Sequence, residues 1–193
     1  MQTYTDFLKT KEVRVKSVGV YSNLTHTPLF HFQRDIVERA LKKGKYCIFA
    51  QTGLGKCLMA LTWADELVEQ LDIKVLFLAP LGVAKQTISE GEKFGINCKY
   101  AADNSQVIDG ITVTNYERLD KFDCSQFDAV VLDESSCIKA YSSKTTNQII
   151  ETFKQTPYKL SCSATPSPND FEELGNQCEF WFTFAFRYPR SKV

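Results

Sequence analysis

The chain has 193 residues, of which 44% are hydrophobic and 24% are charged. This length and composition suit one domain with a full hydrophobic core and exclude a largely disordered chain. Lysine plus arginine number 23, aspartate plus glutamate also number 23, and the formal net charge is therefore zero. An overall basic field is excluded, so any nucleic-acid-binding surface has to be a local patch.

Seven cysteines are scattered along the chain, and none forms a CxxC pair. Their number is odd and several lie inside apolar runs, a pattern typical of reduced thiols in a cytoplasmic protein. The first 15 residues are polar and lack the apolar centre of a signal peptide. No apolar run approaches the length needed to span a membrane. We therefore predict a soluble, cytoplasmic protein with no membrane partner.

The first 27 residues are predicted to be an N-terminal extension, in which residues 12–22 alternate like an edge strand. The main domain is predicted over residues 28–178. Its first helix has an apolar stripe and ends at Gly44, because glycine suits the position after a helix. Residues 46–50 form an all-apolar run, which indicates a strand buried on both faces.

The rest of the main domain alternates short apolar runs with amphipathic segments. This order predicts an α/β fold with a mostly parallel central sheet and helices on both faces. Further strands are predicted within 74–80, 97–102, 111–116, 127–135 and 158–166, and helices within 61–71, 82–94 and 145–155. Residues 179–193 are predicted to be an aromatic and basic tail, either a truncated end or the start of a linker.

A glycine-rich loop with the sequence TGLGK follows the first apolar run, at residues 52–56. Glycines let backbone N–H groups converge on phosphate oxygens, the following helix adds its dipole, and the lysine reaches the β- and γ-phosphates. The loop departs from the strict GxxxxGK[ST] pattern, because Ala50 replaces the first glycine and Cys57 the final hydroxyl residue. A plain glycine turn between a strand and a helix is the alternative interpretation.

Two carboxylates, Asp133 and Glu134, directly follow the apolar run AVVL. Strands of a parallel sheet end at one edge, so we expect this pair near the glycine-rich loop. An aspartate there can hold Mg²⁺ through water, and the adjacent glutamate can orient or deprotonate the attacking water. A solvated acidic turn is the alternative for the pair alone, but the pair and the loop together favour a nucleotide site.

Six segments, in this order along the chain, resemble the motifs of superfamily-two helicases and translocases, close to the Swi/Snf-type ATPases and their phage relatives. The segment AQTGLGKC resembles motif I and LDESSCIK resembles motif II, the DExx box. The others are LFHFQRD (the glutamine motif), VLFLAPLGVAKQ (motif Ia), TVTNYERL (the nucleic-acid-facing motif) and LSCSATPSPND (motif III). The resemblance implies a RecA-like P-loop three-layer sandwich, the N-terminal lobe of a DEAD/DEAH-like enzyme.

The resemblance also implies a cofactor, ATP with Mg²⁺, and a role for each matching residue. Lys56 would hold the phosphates, Glu134 would act on the attacking water, and Asp133 with Cys57 would face the metal. The residues implied in nucleotide binding are Gln33, which would select adenine, and Thr52, Gly53, Leu54, Gly55, Lys56 and Cys57.

Two further sets of residues are implied by the resemblance. Ser163, Ala164 and Thr165 would couple the nucleotide state to movement. The nucleic acid, which we expect to be DNA, would be contacted by Lys85, Asn115, Tyr116 and Arg118. Each of these four residues could equally be an ordinary surface polar group.

Two positions in the loop differ from the pattern of the family. Mg²⁺ prefers hard oxygen ligands, and the thiol of Cys57 is a poor replacement for a hydroxyl. We therefore predict that the nucleotide binds but that hydrolysis is impaired. Gln51 stands where related loops carry an acidic residue, which affects the fine positioning of the nucleotide rather than the fold.

In this family ATP is hydrolysed in a cleft between two RecA-like lobes, and the second lobe contributes arginine fingers. Such a finger is worth on the order of 10³ to 10⁵ in rate in related phosphoryl-transfer systems. The chain leaves no room for that lobe after residue 169. We therefore expect a truncated chain or a half-helicase that needs a second lobe or a partner protein, with weak or no ATPase activity alone.

Two other functions remain open at the level of the sequence. A small P-loop phosphotransferase would also use a glycine-rich loop and a strand-end aspartate, but it should carry an arginine-rich lid. A degenerate, non-catalytic module that binds nucleic acid or protein is favoured by Cys57 and the missing lobe. The intact Lys56 and the Asp133–Glu134 pair count against it.

Overall fold

The computed structural model describes residues 17–135, 144–165 and 180. They contain a six-stranded sheet with the spatial order β1-β6-β5-β2-β4-β3. Every neighbouring pair of strands is parallel, which confirms the predicted sheet. The strands are β1 (Lys45–Phe49), β2 (Val75–Ala79), β3 (Cys98–Tyr100), β4 (Ile111–Asn115), β5 (Ala129–Leu132) and β6 (Tyr158–Ser163).

Helices cover both faces of the sheet, as a parallel sheet requires. They are α1 (His31–Lys43), α2 (Lys56–Leu71), α3 (Ala84–Phe94) and α4 (Lys144–Thr152). Successive side chains of β2 point to opposite faces, so Phe77 packs with α1, α2 and α3, while Leu78 packs with α4. The two apolar clusters therefore lie on either side of one sheet, and the predicted layer order is confirmed.

Helix α1 forms because its apolar residues recur at helical spacing. Val37, Ala40 and Leu41 are buried against the core. Gly44 ends the helix with a φ of 74°, and its N–H donates to the carbonyl of Ala40 at 2.9 Å. The positive φ is easily reached only by glycine, so the predicted helix end is confirmed.

Two predictions about strands are wrong. Residues 17–22 of the predicted edge strand have no regular secondary structure, and the remainder of that segment lies outside the described residues. Strand β1 is not buried on both faces, because it lies at the edge of the sheet and its Phe49 is 41% exposed. An apolar run predicts a strand, but the position of that strand depends on β6, which pairs with β1 from far along the chain.

The pairing register brings several strand ends together at one edge of the sheet. Phe49 at the end of β1 pairs with Ser163 at the end of β6. Leu132 at the end of β5 pairs with Ser161 of β6 and with Leu78 of β2. The glycine-rich loop after β1, the two carboxylates after β5 and the end of β6 therefore lie side by side.

The predicted aromatic tail is represented in the described residues by Phe180 alone. This side chain is buried in the cluster that contains α4. The other tail residues, including Arg187 and Arg190, lie outside the described residues. Within the described ranges, none of the helices combines the length and the apolar character that a membrane crossing requires.

Candidate nucleotide-binding site

The glycine-rich loop turns sharply from β1 into α2. Gly53 and Gly55 have φ values of 87° and 72°, a region that other residues rarely adopt. Gly55 is also the last residue before α2, and a Cβ atom there would lie 2.4 Å from Nε2 of Gln33. Both backbone conformation and space therefore require glycine at position 55.

Lys56 is the first residue of α2 and folds back along the loop. Its Nζ donates to the carbonyl oxygens of Ala50 at 2.8 Å and Gln51 at 3.2 Å. These carbonyls would compete with phosphate oxygens for the same ammonium group. The predicted phosphate-binding lysine therefore lies folded against the loop.

Gln33 joins the start of α1 to the glycine-rich loop. Its Nε2 donates to the carbonyl of Leu54 at 2.9 Å, and its Oε1 accepts from the N–H of Phe30 at 2.9 Å. The side chain is buried. A carboxamide has a second N–H and a second oxygen lone pair, so these two contacts use only one donor and one acceptor position of the side chain.

Asp133 lies at the start of the turn after β5. Its backbone N–H donates to the carbonyl of Leu78 at 2.8 Å, which extends the pairing of β5 with β2. Burial raises the pKa of Asp133 to about 6, and the carboxylates of Glu134 and Glu90 act in the same direction. The N–H of Glu134, which donates to Oδ1 at 3.1 Å, and the charge of Lys56 oppose that rise.

Ser163 connects the loop to the carboxylate turn. Its hydroxyl donates to Oε1 of Glu134 at 3.1 Å, and its carbonyl accepts from the N–H of Ala50 at 3.2 Å. The hydroxyl oxygen also accepts from the N–H of Thr165 at 3.0 Å. Ala164 is half-buried and Thr165 is exposed. Of the three predicted coupling residues, Ser163 is the one that contacts both parts of the site.

Cys57, the second residue of α2, is half-buried between the loop and α3. Burial raises the pKa of its thiol well above the usual value, and the carboxylates of Glu90 and Asp133 raise it further. Thr87 of α3 acts in the opposite direction through a hydrogen bond. The thiol is therefore protonated at neutral pH, a form that is a poor metal ligand.

The metal-binding prediction concerns Cys57 and Asp133, which lie close enough for the carboxylate to affect the thiol pKa. Within the part of the chain that the structure describes, no three His, Cys, Asp or Glu side chains stand together in a metal-binding group.

The four residues predicted to contact nucleic acid separate into two groups. Lys85 is exposed at the start of α3, and Arg118 is half-buried with Nη1 donating to the carbonyl of Ala102 at 3.3 Å. Asn115 and Tyr116 are buried. The Asn115 amide donates to the Tyr100 hydroxyl at 3.2 Å. Direct contact with a nucleic acid is therefore available to Lys85 and Arg118 and would require Asn115 and Tyr116 to become exposed.

Two features near the site were not found from the sequence. Phe30 and Phe32 are 72% and 46% exposed, and their rings are nearly parallel with centroids 6.3 Å apart. Both phenylalanines precede Gln33 within the motif LFHFQRD. Glu90 faces Cys57 from α3, and no local pattern signals it because the contact depends on how α3 packs on α2.

Residues 26–168 match the profile of the family described as type III restriction enzyme, res subunit. The chain belongs to this family. The match covers the loop, the carboxylate turn and the end of β6, which are the parts of the candidate site. No curated protein sequence matches the chain at a significant level.

Solved structures of helicases share the fold of this res-subunit family member. The UvsW helicase of bacteriophage T4 has a TM-score of 0.64 at 16% identity, over 91% of this chain and 65% of that one. The SWI2/SNF2 ATPase core of Sulfolobus solfataricus, in complex with dsDNA, has a TM-score of 0.63 at 21% identity, over 86% of this chain and 37% of that one. The Hef helicase domain of Pyrococcus furiosus has a TM-score of 0.64 at 18% identity, over 78% of this chain and 35% of that one.

These matches confirm the resemblance to superfamily-two helicases and the RecA-like fold of the ATP-binding lobe. The chain spans 65% of the UvsW chain and little more than a third of the other two. Its coverage fits a single lobe of such an enzyme.

Proposed function

We propose that this lobe binds ATP with Mg²⁺ and belongs to a DNA helicase or translocase that couples hydrolysis to movement along the nucleic acid. One observation carries the proposal. The loop with Lys56 follows β1, the turn with Asp133 and Glu134 follows β5, and Ser163 ends β6, the strand between them. Hydrogen bonds made by Ser163 join the loop to the turn. A plain glycine turn or a solvated acidic turn would have no need of these connections.

In the proposed complex, Lys56 and the N–H groups of the loop bind the phosphates. Asp133 holds Mg²⁺ through water, and Glu134 orients the attacking water. The other donor and acceptor of Gln33 select adenine, while exposed Phe30 or Phe32 offers a face for the base to stack on.

The nucleic acid and the second lobe are the finer parts of the proposal. Lys85 and Arg118 contact phosphates of DNA, which needs no base readout and suits a translocase. The similar SWI2/SNF2 core was solved with dsDNA, which supports DNA as the track. A second RecA-like lobe or a partner protein supplies arginine to the γ-phosphate and raises the low activity of this lobe.

One observation favours a second candidate function, that of a degenerate module that binds nucleic acid or protein without catalysis. Position 57 carries a thiol in place of the hydroxyl that usually binds Mg²⁺, and the raised pKa of this thiol, to which Glu90 contributes, keeps it in a form that binds metals poorly. A module of this kind would keep the fold and the nucleic-acid surface but would not need to bind ATP. Nucleotide binding therefore separates the two candidates.

The proposal is tested by calorimetric titration of ATP into the purified chain, with Mg²⁺ and with EDTA. We expect saturable binding by the parent chain and its loss in Lys56→Ala. Lys74→Ala is the matched control, because Lys74 precedes β2 at the opposite edge of the sheet and pairs with Asp109 at 3.2 Å. Absence of binding in the parent chain, or equal binding in Lys56→Ala, would contradict the proposal and favour the non-catalytic module.

A further inference from the structure

One peptide group in the site is held at both ends by side chains. It joins Asp133 to Glu134, and its carbonyl accepts from the Tyr116 hydroxyl at 2.7 Å. Its N–H donates to Oδ1 of Asp133 at 3.1 Å. Tyr116 is 9% exposed, so the contact between hydroxyl and carbonyl is shielded from water. Rotation of this peptide plane would leave the buried hydroxyl of Tyr116 without its acceptor, which is costly. The hydroxyl therefore fixes the orientation of the plane.

The residue after this peptide has an unusual backbone conformation. Glu134 has a φ of 50°, in the left-handed region that residues other than glycine rarely adopt. Such a conformation persists only where surrounding contacts hold it. The Tyr116 hydroxyl holds the peptide before Glu134, and the Ser163 hydroxyl holds the carboxylate at 3.1 Å.

Tyr116 itself belongs to a neighbouring part of the sheet edge. It begins the 3₁₀ turn Tyr116–Lys121, which directly follows β4 and carries Arg118. The amide of Asn115, the residue before it, donates to the Tyr100 hydroxyl at 3.2 Å. The Tyr116 ring lies in the apolar cluster with Leu132, so its hydroxyl reaches Asp133 from a fixed position.

We propose that Tyr116 is a positioning residue for the nucleotide site rather than a contact to nucleic acid. Its hydroxyl sets the peptide between Asp133 and Glu134, and this directs both carboxylates toward the Mg²⁺–nucleotide. The inference rests on the proposed function, because a direction for the carboxylates matters only where they face a metal. It assigns to Tyr116 a role different from the one predicted from the sequence.

The test uses Tyr116→Phe, which removes the hydroxyl and keeps the ring in the core. The affinity for a fluorescent ATP analogue is measured with Mg²⁺ and with EDTA. We expect an unchanged affinity in EDTA. The increase in affinity on adding Mg²⁺ should be about three- to tenfold smaller than in the parent chain, which corresponds to the loss of one buried hydrogen bond. A merely structural role would lower the melting temperature without this selective effect on the Mg²⁺-dependent gain.

Tyr158→Phe is the matched control, because the Tyr158 hydroxyl also donates to a backbone carbonyl, that of Val18 at 3.4 Å, but at the opposite end of β6. Hydrogen exchange of the amides of residues 133–135 provides a measurement that needs no nucleotide. We expect faster exchange in Tyr116→Phe and no change in Tyr158→Phe.

The possible results separate the inference from the proposed function. An equal gain from Mg²⁺ in Tyr116→Phe and the parent chain, or unchanged exchange at residues 133–135, would overturn the positioning role. A parent chain that binds no nucleotide would contradict the proposed function, and with it the action of Tyr116 on a metal. Exchange would then still decide whether Tyr116 holds the turn.

Discussion

At the scale of single residues, Cys57 is a position where the glycine-rich loop departs from the GxxxxGK[ST] pattern. Its thiol stands where that pattern has a hydroxyl, the group that we propose would bind Mg²⁺, and burial together with Glu90 and Asp133 raises the pKa of the thiol. A neutral thiol offers a hard cation little. In the proposed complex, the defect is therefore expected in metal binding and not in phosphate binding, which is assigned to the backbone N–H groups of the loop and Lys56.

Cys57→Thr is expected to restore the missing ligand. The gain in nucleotide affinity on adding Mg²⁺ should rise by about three- to tenfold, because a hydroxyl can bind the ion directly. Hydrolysis should rise with it, in this chain or in one extended by a second lobe. Cys57→Ala is the control, since it removes the thiol without adding an oxygen. Equal behaviour of the threonine and alanine variants would show that Cys57 is not the defect.

Gly55 and Gly53 provide a second prediction at this scale. Both have positive φ, but an added Cβ meets Gln33 only at Gly55, while no atom lies within 4 Å of it at Gly53. Gly53→Ala should therefore cost about 1–2 kcal/mol of backbone strain. Gly55→Ala should cost more and should also weaken ATP binding, because Gln33 would have to leave Leu54. Equal melting temperatures and ATP affinities in the two variants would contradict this expectation.

At the scale of elements, β6 carries a buried lysine on the face opposite the helix α2. Lys159 is 1% exposed, and its Nζ donates to the carbonyl of Phe180 at 2.8 Å and lies 5.0 Å from that ring. Burial, together with a smaller contribution from the charge of Lys45, its partner in β1, lowers the pKa of Lys159 to about 8. The lysine therefore ties Phe180 to the sheet at a cost in desolvation.

This cost predicts a pH dependence of stability. Because the folded pKa is lowered, the unfolded chain binds the proton more tightly, and the penalty is full below about pH 8 and disappears as the pH rises toward 10.5. The free energy of unfolding of the parent chain should therefore rise relative to that of Lys159→Met between pH 8 and 10.5. The slope cannot exceed about 1.4 kcal/mol per pH unit for one proton.

Chemical denaturation at several pH values measures this difference, since other titrating groups are common to both chains. Lys99→Met, at an exposed position on β3, is the control and should run parallel to the parent chain. A constant difference between the parent chain and Lys159→Met from pH 7 to 10.5 would contradict the prediction.

At the scale of the whole molecule, the absence of net charge limits how a nucleic acid can bind. With 23 basic and 23 acidic residues, attraction has to come from a local surface. Lys85 and Arg118 lie near the ends of β2 and β4, the same edge at which the nucleotide would bind. In the proposed complex, the nucleic acid and the nucleotide would therefore lie on neighbouring strand ends.

The double variant Lys85→Ala/Arg118→Ala tests this surface. Its affinity for a DNA duplex should fall at every salt concentration, and the slope of log affinity against log salt should decrease by about 1–2, close to 0.9 for each phosphate that is no longer neutralised. Lys74→Ala, at the end of the sheet where the strands begin, should leave both the affinity and the salt slope unchanged. Fluorescence anisotropy over a salt series measures both quantities, and an unchanged slope would exclude these two residues as ligands of the DNA phosphates.

The sequence by itself determined the fold class and indicated where the candidate site lies. Apolar runs alternating with amphipathic segments are local patterns, and they predicted all six strands and all four helices close to their observed positions. β3, the shortest strand, was predicted within 97–102 but covers only Cys98–Tyr100. The TGLGK loop and the Asp133–Glu134 pair were also visible, because each of them is a short contiguous stretch of the chain.

Only the tertiary structure decided which residues touch across the sheet. Strand order placed β1 at an edge, and it placed Ser163 between the loop and the carboxylates. The same packing buried Tyr116 with its hydroxyl on Asp133 and brought Glu90 to Cys57. These residues stand far apart in the chain, and no local pattern encodes their contacts. Such contacts follow from the order in which buried strands pair and from the faces on which helices pack.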